Sequence, residues 1–265
     1  MSAAIRAEVR KLLSTRLWWL LALVLVAYLV FIAAVMALSF TVDLPGAQTS
    51  GRPAGVDLAR TVYALTSPIG YVFPLIVGSL VFTNEFRHQT ITATVLVEPR
   101  RTVLLLGKLI VAGLIGLVYG VVGTASTVLG AAPVLAVSGD GAFLTDRSVI
   151  VLLLMSVVVM ALWAVLGAAV GGVLTNQVAA IIVILAFTQF VEPIGRLALG
   201  AWDLTSGVAR YLPGAAADAL LGSSFFAQAG AVDLLPRFGG GILLLAYIAV
   251  FALVARYVTL RRDIG

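Results

Sequence analysis

The chain has 265 residues, 62% of them hydrophobic and 11% charged, and a formal net charge of +5. A soluble domain is about 25% charged, so this composition excludes a water-soluble globular protein. The absence of cysteine excludes disulfides, iron–sulfur clusters and thiolate metal sites. Apolar runs of about 18 or more residues recur, each long enough to cross a bilayer as a helix. They are unbroken, not alternating as in a barrel, so the fold class is an all-α polytopic membrane protein.

Residues 2–16 come first. Ile5, Val9, Leu12 and Leu13 share one helical face, and Arg6, Glu8, Arg10 and Lys11 occupy much of the rest. This predicts an amphipathic interfacial helix at the inner leaflet. The next apolar run is too long for the core of a cleaved signal peptide and has no small-residue cleavage site after it.

Six spans follow, at about 17–40, 61–83, 104–137, 148–174, 178–200 and 239–258. Trp18-Trp19 opens the first as an interfacial anchor. The second contains Pro68 and Pro74, each of which removes a helix hydrogen bond. The third and fourth contain the pairs Gly116/Gly120 and Gly167/Gly171, spaced for close backbone approach, either inside the chain or at a dimer face. Thr175-Asn176-Gln177 is a link short enough to force an antiparallel helix pair, with Asn176 as N-cap; Asn84 could cap the segment after the second span in the same way.

Between the second and third spans lies a polar island, Asn84 to Lys108. It contains the only histidine, His88, and four of the seventeen Lys/Arg. With the N-terminus placed in the cytoplasm, the inside segments carry eleven Lys/Arg and the outside segments six. The charge rule then puts both termini and the island on the cytoplasmic side. A helix over 84–97 would align Phe86, Thr90, Ala93 and Val97, but the β-branched Thr90-Ile91-Thr92 and Thr94-Val95 oppose it.

Residues 188–237 are apolar for an outside segment. Glu192-Pro193-Ile194-Gly195 interrupts the fifth span, and the runs after it are too short to cross. They are read as re-entrant half-helices before the last span, tolerated at membrane depth only where buried in protein or lining a cavity. Gln189, Glu192, Arg196 and Pro213 form the candidate outer gate. The four-residue spacing of Glu192 and Arg196 fits a local ion pair.

Catalytic chemistry has no sequence signature here. There is no metal-ligand cluster, no nucleophile elbow and no phosphate loop, since Gly107-Lys108 is followed by Leu109 and lacks the upstream glycine. The chain is expected to bind no cofactor and no nucleic acid, and not to be an enzyme. Intramembrane charge is scarce, which disfavours an ion-coupled carrier or channel acting alone; a non-transporting membrane module is a third reading. Active transport would then draw on a partner docked at the island.

Glu85-Phe86-Arg87-His88-Gln89-Thr90-Ile91, followed by Glu98-Pro99-Arg100-Arg101 and Gly107-Lys108, resembles the pattern of ABC transporter permeases of the type-two exporter class. Gln89 stands where that family often has Gly. The Leu212-Pro213-Gly214-Ala215-Ala216-Ala217 run is similar to actinobacterial members, which implies the cytoplasmic membrane of a bacterium. The resemblance extends over the whole chain: interfacial helix, six spans, a coupling segment at 84–103, and re-entrant helices.

The resemblance implies two permeases, identical or different, each bound to a separate ATPase subunit that holds ATP and Mg. Glu85, Phe86, Arg87, His88, Gln89, Thr90 and Ile91 would dock in a groove of that ATPase. Glu85, Arg87 and His88 would supply charge, and Phe86 and Ile91 apolar anchors. Arg6, Arg10, Lys11, Arg100, Arg101 and Lys108 would support this segment at the inner leaflet. Substrate would move between the permeases and leave past 188–237.

Overall fold

The chain alternates apolar runs with short polar links, and the only regular structure among the described residues is helical. The structure is a computed structural model and describes residues 2–42, 53–97, 100–138, 141–200, 207–228 and 233–259. Glu98 and Pro99 of the sequence motif, and Arg52, Arg261 and Arg262 of the charge count, lie outside the described residues.

Among the described residues six segments are long and apolar enough to cross a membrane: Leu17–Thr41, Gly55–Arg87, Arg101–Val137, Arg147–Val173, Gln177–Gly200 and Arg237–Thr259. Helix α1 (Ser2–Ser14) precedes them and α2 (Leu17–Thr41) is the first. The second is assembled from α3 (Gly55–Tyr63), α4 (Thr66–Gly70) and α5 (Val72–Arg87). Turns at Ala64–Leu65 and Tyr71 separate its pieces, and Pro68 and Pro74, which have no N–H to donate, lie just beyond them. A short helix, α6 (Ile91–Val97), leads to the long α7 (Arg101–Val137).

Helix α8 (Arg147–Val173) begins at Asp146, whose carboxylate accepts from the Ser148 N–H at 2.8 Å. Helix α9 (Gln177–Ala186) begins at Asn176, which accepts from the N–H groups of Val178 and Ala179. A π-helical turn at Phe187–Val191 then leads into α10 (Glu192–Gly200). The expected break at Glu192-Pro193 is therefore absent: the widened turn absorbs the missing proline N–H and the helix continues. After α10 come α11 (Pro213–Leu221), α12 (Phe225–Gln228) and α13 (Arg237–Val254), which ends in a second π turn, Ala255–Thr259. Helix α11 is buried along almost its whole length, packed on α13, α8 and α4.

Helices α5, α7 and α8 form the centre. Their glycines set the spacing. A Cβ on Gly116 or Gly120 would meet the backbone of Ala161 or Val157 at 2.8 Å. One on Gly167 or Gly171 would strike the backbone of Leu75 or Ser79. Both small-residue pairs thus serve packing inside one chain, where backbones approach without side chains between them. The main core includes Leu75, Val77, Leu80, Phe82, Val111, Tyr119, Met160 and Trp163. A second cluster, with Leu58, Tyr63, Leu135 and Leu152, fills the end where α8 begins.

Candidate functional site

Residues 84–97 of the polar island form the end of α5 and the helix α6, joined by a tight turn. Helix α5 runs on through Asn84, which is therefore inside a helix and not a cap, and stops at Arg87. Gln89 has φ 54°, the Thr90 N–H bonds to the Glu85 carbonyl at 2.9 Å, and the Gln89 N–H bonds to the Phe86 carbonyl at 3.3 Å. That is a Schellman termination, which requires a left-handed residue at the Gln89 position and favours glycine there. Helix α6 then forms in spite of its β-branched residues. Ile91 is buried, and Thr94 is held through its hydroxyl, so tertiary contacts override local propensity.

Two lysines and two glutamates meet beneath this turn. The Lys108 ammonium, 0% exposed, lies 2.7 Å from Glu8 Oε2 and 3.0 Å from Glu85 Oε1, and donates to the Val81 carbonyl at 2.9 Å. It also stands 5.1 Å from the centre of the Phe82 ring. The Lys11 ammonium lies 2.9 Å from Glu8 Oε1, contacts Glu85 Oε1, and donates to Thr94 Oγ1 at 3.1 Å. Thr94 in turn donates to Glu85 Oε1 at 3.2 Å. The cluster is neutral by count and ties α1, α5, α6 and α7 together. Four buried or half-buried charges are tolerable at this depth because each faces an opposite one.

Two groups of the cluster show a net shift. Burial alone would raise the Glu8 carboxyl, but the Lys108 charge and hydrogen bonds from Lys108 and Lys11 outweigh it and hold it below its ordinary value. Burial would lower Lys11, but hydrogen bonds to Glu85 and Glu8 hold it above its ordinary value. Both shifts favour the charged, paired form.

The residues of the coupling motif separate into two sets. Glu85 is 3% exposed, Ile91 is buried and Phe86 is half-buried against the core, so none of the three is free on the surface. Arg87, His88, Gln89 and Thr90 are exposed, with Arg87 donating to the Gln177 side-chain oxygen at 3.1 Å. Among the described side chains of this segment, Leu96 is the large apolar one presented, 80% exposed. Arg6, Arg10 and Arg100 are exposed and Arg101 half-exposed; of the six expected supporting cations, Lys11 and Lys108 join the cluster. Glu8 belongs to the buried face of α1 with Ile5, Val9 and Leu12, and Leu13 points outward. A lone acid on an apolar stripe, at i+3 from Ile5, was the sequence signal for it.

A second ionic cluster lies beside α4 and Tyr71. Arg196 pairs with Glu192 at 2.9 Å, as the spacing predicts, and also with Asp218 of α11 at 2.8 Å. Asp218 accepts from Ser224 Oγ at 2.7 Å, and Glu192 Oε1 accepts from the Gly214 N–H. Gln189, Glu192 and Arg196 line one cavity with Gly214, and Pro213 lines the neighbouring one. Sequence reasoning missed Asp218; its signal was a single acid within the apolar run Ala215–Leu221.

No curated protein matches the chain. The ABC-2 family transporter protein profile matches residues 4–191, which include α1, the first four spans, the Glu8–Lys108 cluster and most of the fifth span. More than half of the chain is covered, and the membrane-spanning helices fit a permease subunit. The chain is a member of the ABC-2 transporter family, a multi-pass membrane subunit of an ABC transporter.

Proposed function

We propose that this chain is the permease of an ATP-driven exporter, and that its ATPase docks on the turn Arg87–Thr90 and the outer face of α6. The observation that carries this is the cluster beneath that surface. Lys11 and Thr94 link α6 to α1, while Glu85 and Lys108 link it to α5 and α7. A push on α6 is thereby delivered to an interfacial helix and two membrane helices at once. Family membership supports an ATPase partner, and the positive-inside count supports a cytoplasmic position for α1 and α6. A pair of permeases, each with its ATPase, completes the reading.

Glu85 and Ile91 act in this reading as internal wiring, and His88 and Leu96 as contact residues. Leu96→Asp puts a charge on the presented apolar side chain and touches none of the cluster. Co-purification of the ATPase with the chain is expected to weaken at least about tenfold, the scale of a lost apolar anchor. Undiminished co-purification would sink the docking assignment. In proteoliposomes, substrate movement should require the ATPase and ATP; movement by the chain alone under an ion gradient would favour the carrier reading instead.

A further inference from the structure

Two cavities meet inside this chain. One, of about 470 Å3, is walled by Leu75, Leu166, Val170, Ile184, Phe187 and Phe251, all apolar. The other, of about 80 Å3, is walled by Tyr71, Gln189, Glu192, Arg196 and Asp218, among others. Trp163 and Thr188 line both. The larger lies within the roughly 300–1,000 Å3 typical of small-molecule sites.

The polar end carries an unbalanced charge. Among the described residues the cluster has two carboxylates, Glu192 and Asp218, and one guanidinium, Arg196. Both acids are essentially buried, at 1% and 2% exposure. Arg196 and the Gly214 N–H both donate to Glu192 Oε1, so Oε2 is left buried without a hydrogen-bond partner. Unpaired buried carboxylate oxygen is costly; any donor would satisfy the oxygen, and a cationic one would also balance the second acid. The ring centres of Tyr71 and Trp163, 4.4 Å apart, form an aromatic wall beside it, a second feature that attracts a cation. The Trp163 indole N–H is also buried and unpartnered, and can donate to an oxygen near the cation.

We infer that this is a binding site for a small cationic amphiphile, with its protonated amine on Glu192 Oε2 and its apolar body in the cavity between α5, α8, α9 and α13. A phospholipid fits the charge poorly, because its phosphate would be brought close to the same two carboxylates. That the bound amine is cargo rests on the exporter reading; the binding itself does not.

The test uses the purified full chain in phosphatidylcholine nanodiscs. Tritiated 4-phenylbutylamine is the probe, with 4-phenylbutanol and 4-phenylbutyrate as neutral and anionic competitors. The amine is expected to bind saturably, the alcohol to compete roughly tenfold or more weakly, as for loss of one charge-assisted hydrogen bond, and the acid not at all. Glu192→Gln should erase the preference for amine over alcohol. Ile184→Trp fills the apolar cavity, leaves the acids untouched, and should abolish amine binding. Equal binding of amine and alcohol to the natural chain, amine binding that Ile184→Trp leaves unchanged, or a co-purified phospholipid that the amine cannot displace would each overturn the inference. The comparison on the natural chain carries the test if either variant misfolds. No ATPase enters the measurement, so a chain that retains its ATPase but ignores the amine overturns this inference alone.

Discussion

Removing the Lys108 ammonium would strand Glu8 and Glu85 as buried carboxylates with only Lys11 between them. Breaking a buried ion pair from one side costs about 3–5 kcal/mol, whereas replacing the whole group with apolar residues is often nearly neutral. Lys108→Met should therefore sharply lower the thermal stability of the detergent-purified chain, and Glu8→Gln with Glu85→Gln in the same chain should restore much of it. A Lys108→Met chain as stable as the parent would show that the ammonium is not a hub. Gln89 makes the opposite prediction. A non-glycine residue at φ 54° bears a left-handed cost of about 1–2 kcal/mol, partly offset by the greater unfolded-state freedom of glycine. Gln89→Gly should raise Tm by about 2 °C. The sequence marked both residues, Gln89 as a departure from a usual glycine and Lys108 as a cation at a span's edge. It did not show that Lys108 is a hub, because its partner Glu8 is a hundred residues away in the chain.

At the level of elements, α1 is fastened to the bundle by charges whose shifts fix a pH window. Glu8 lies below its ordinary 4.5 when folded, so its contribution is complete above that value and is lost as pH falls through the folded value. Lys11 lies above its ordinary 10.5, so its contribution is complete below that value and lost as pH rises through the folded one. Spin labels at Arg10→Cys and His88→Cys, both exposed positions in a chain without cysteine, should keep one separation from pH 5 to 9. Below about 4.5 the separation should broaden; a constant separation down to pH 3 would show that apolar contacts alone hold α1. The α5–α8 seam makes a steric prediction. Gly167→Val should abolish folded protein on gel filtration, since the side chain would enter the Leu75 backbone. Glycine spacing disclosed the tight seam, but the choice between an internal and an intermolecular one depends on which helix faces it, and that is a property of the fold.

For the whole molecule, composition sufficed to identify a bundle of membrane helices, because lipid permits few other ways to satisfy the backbone. What composition concealed is which segments penetrate it. Glu192-Pro193 reads as a break, yet a π turn just before it lets the helix continue, and the Pro213–Leu221 half-helix is enclosed by other helices whose identity the sequence does not disclose. Orientation has a direct measurement. A membrane-impermeant maleimide should label Arg147→Cys on intact cells and Arg10→Cys only after permeabilisation; the reverse pattern would invert the proposed topology.

Helix α7 links these scales. From Lys108 to Gly130 it covers ~33 Å, bound at one end by the ammonium and near the other by the close approach of Gly130 to the Val30 backbone. A tilt of only ~5° about the Lys108 end would move the Gly130 end by ~3 Å over that length. That displacement is comparable to the width of a methyl group, enough to unseat a packed contact. In the proposed exporter, a helix anchored in this way would act as a lever arm, enlarging a small rotation at the charged end into a side-to-side stroke at the other.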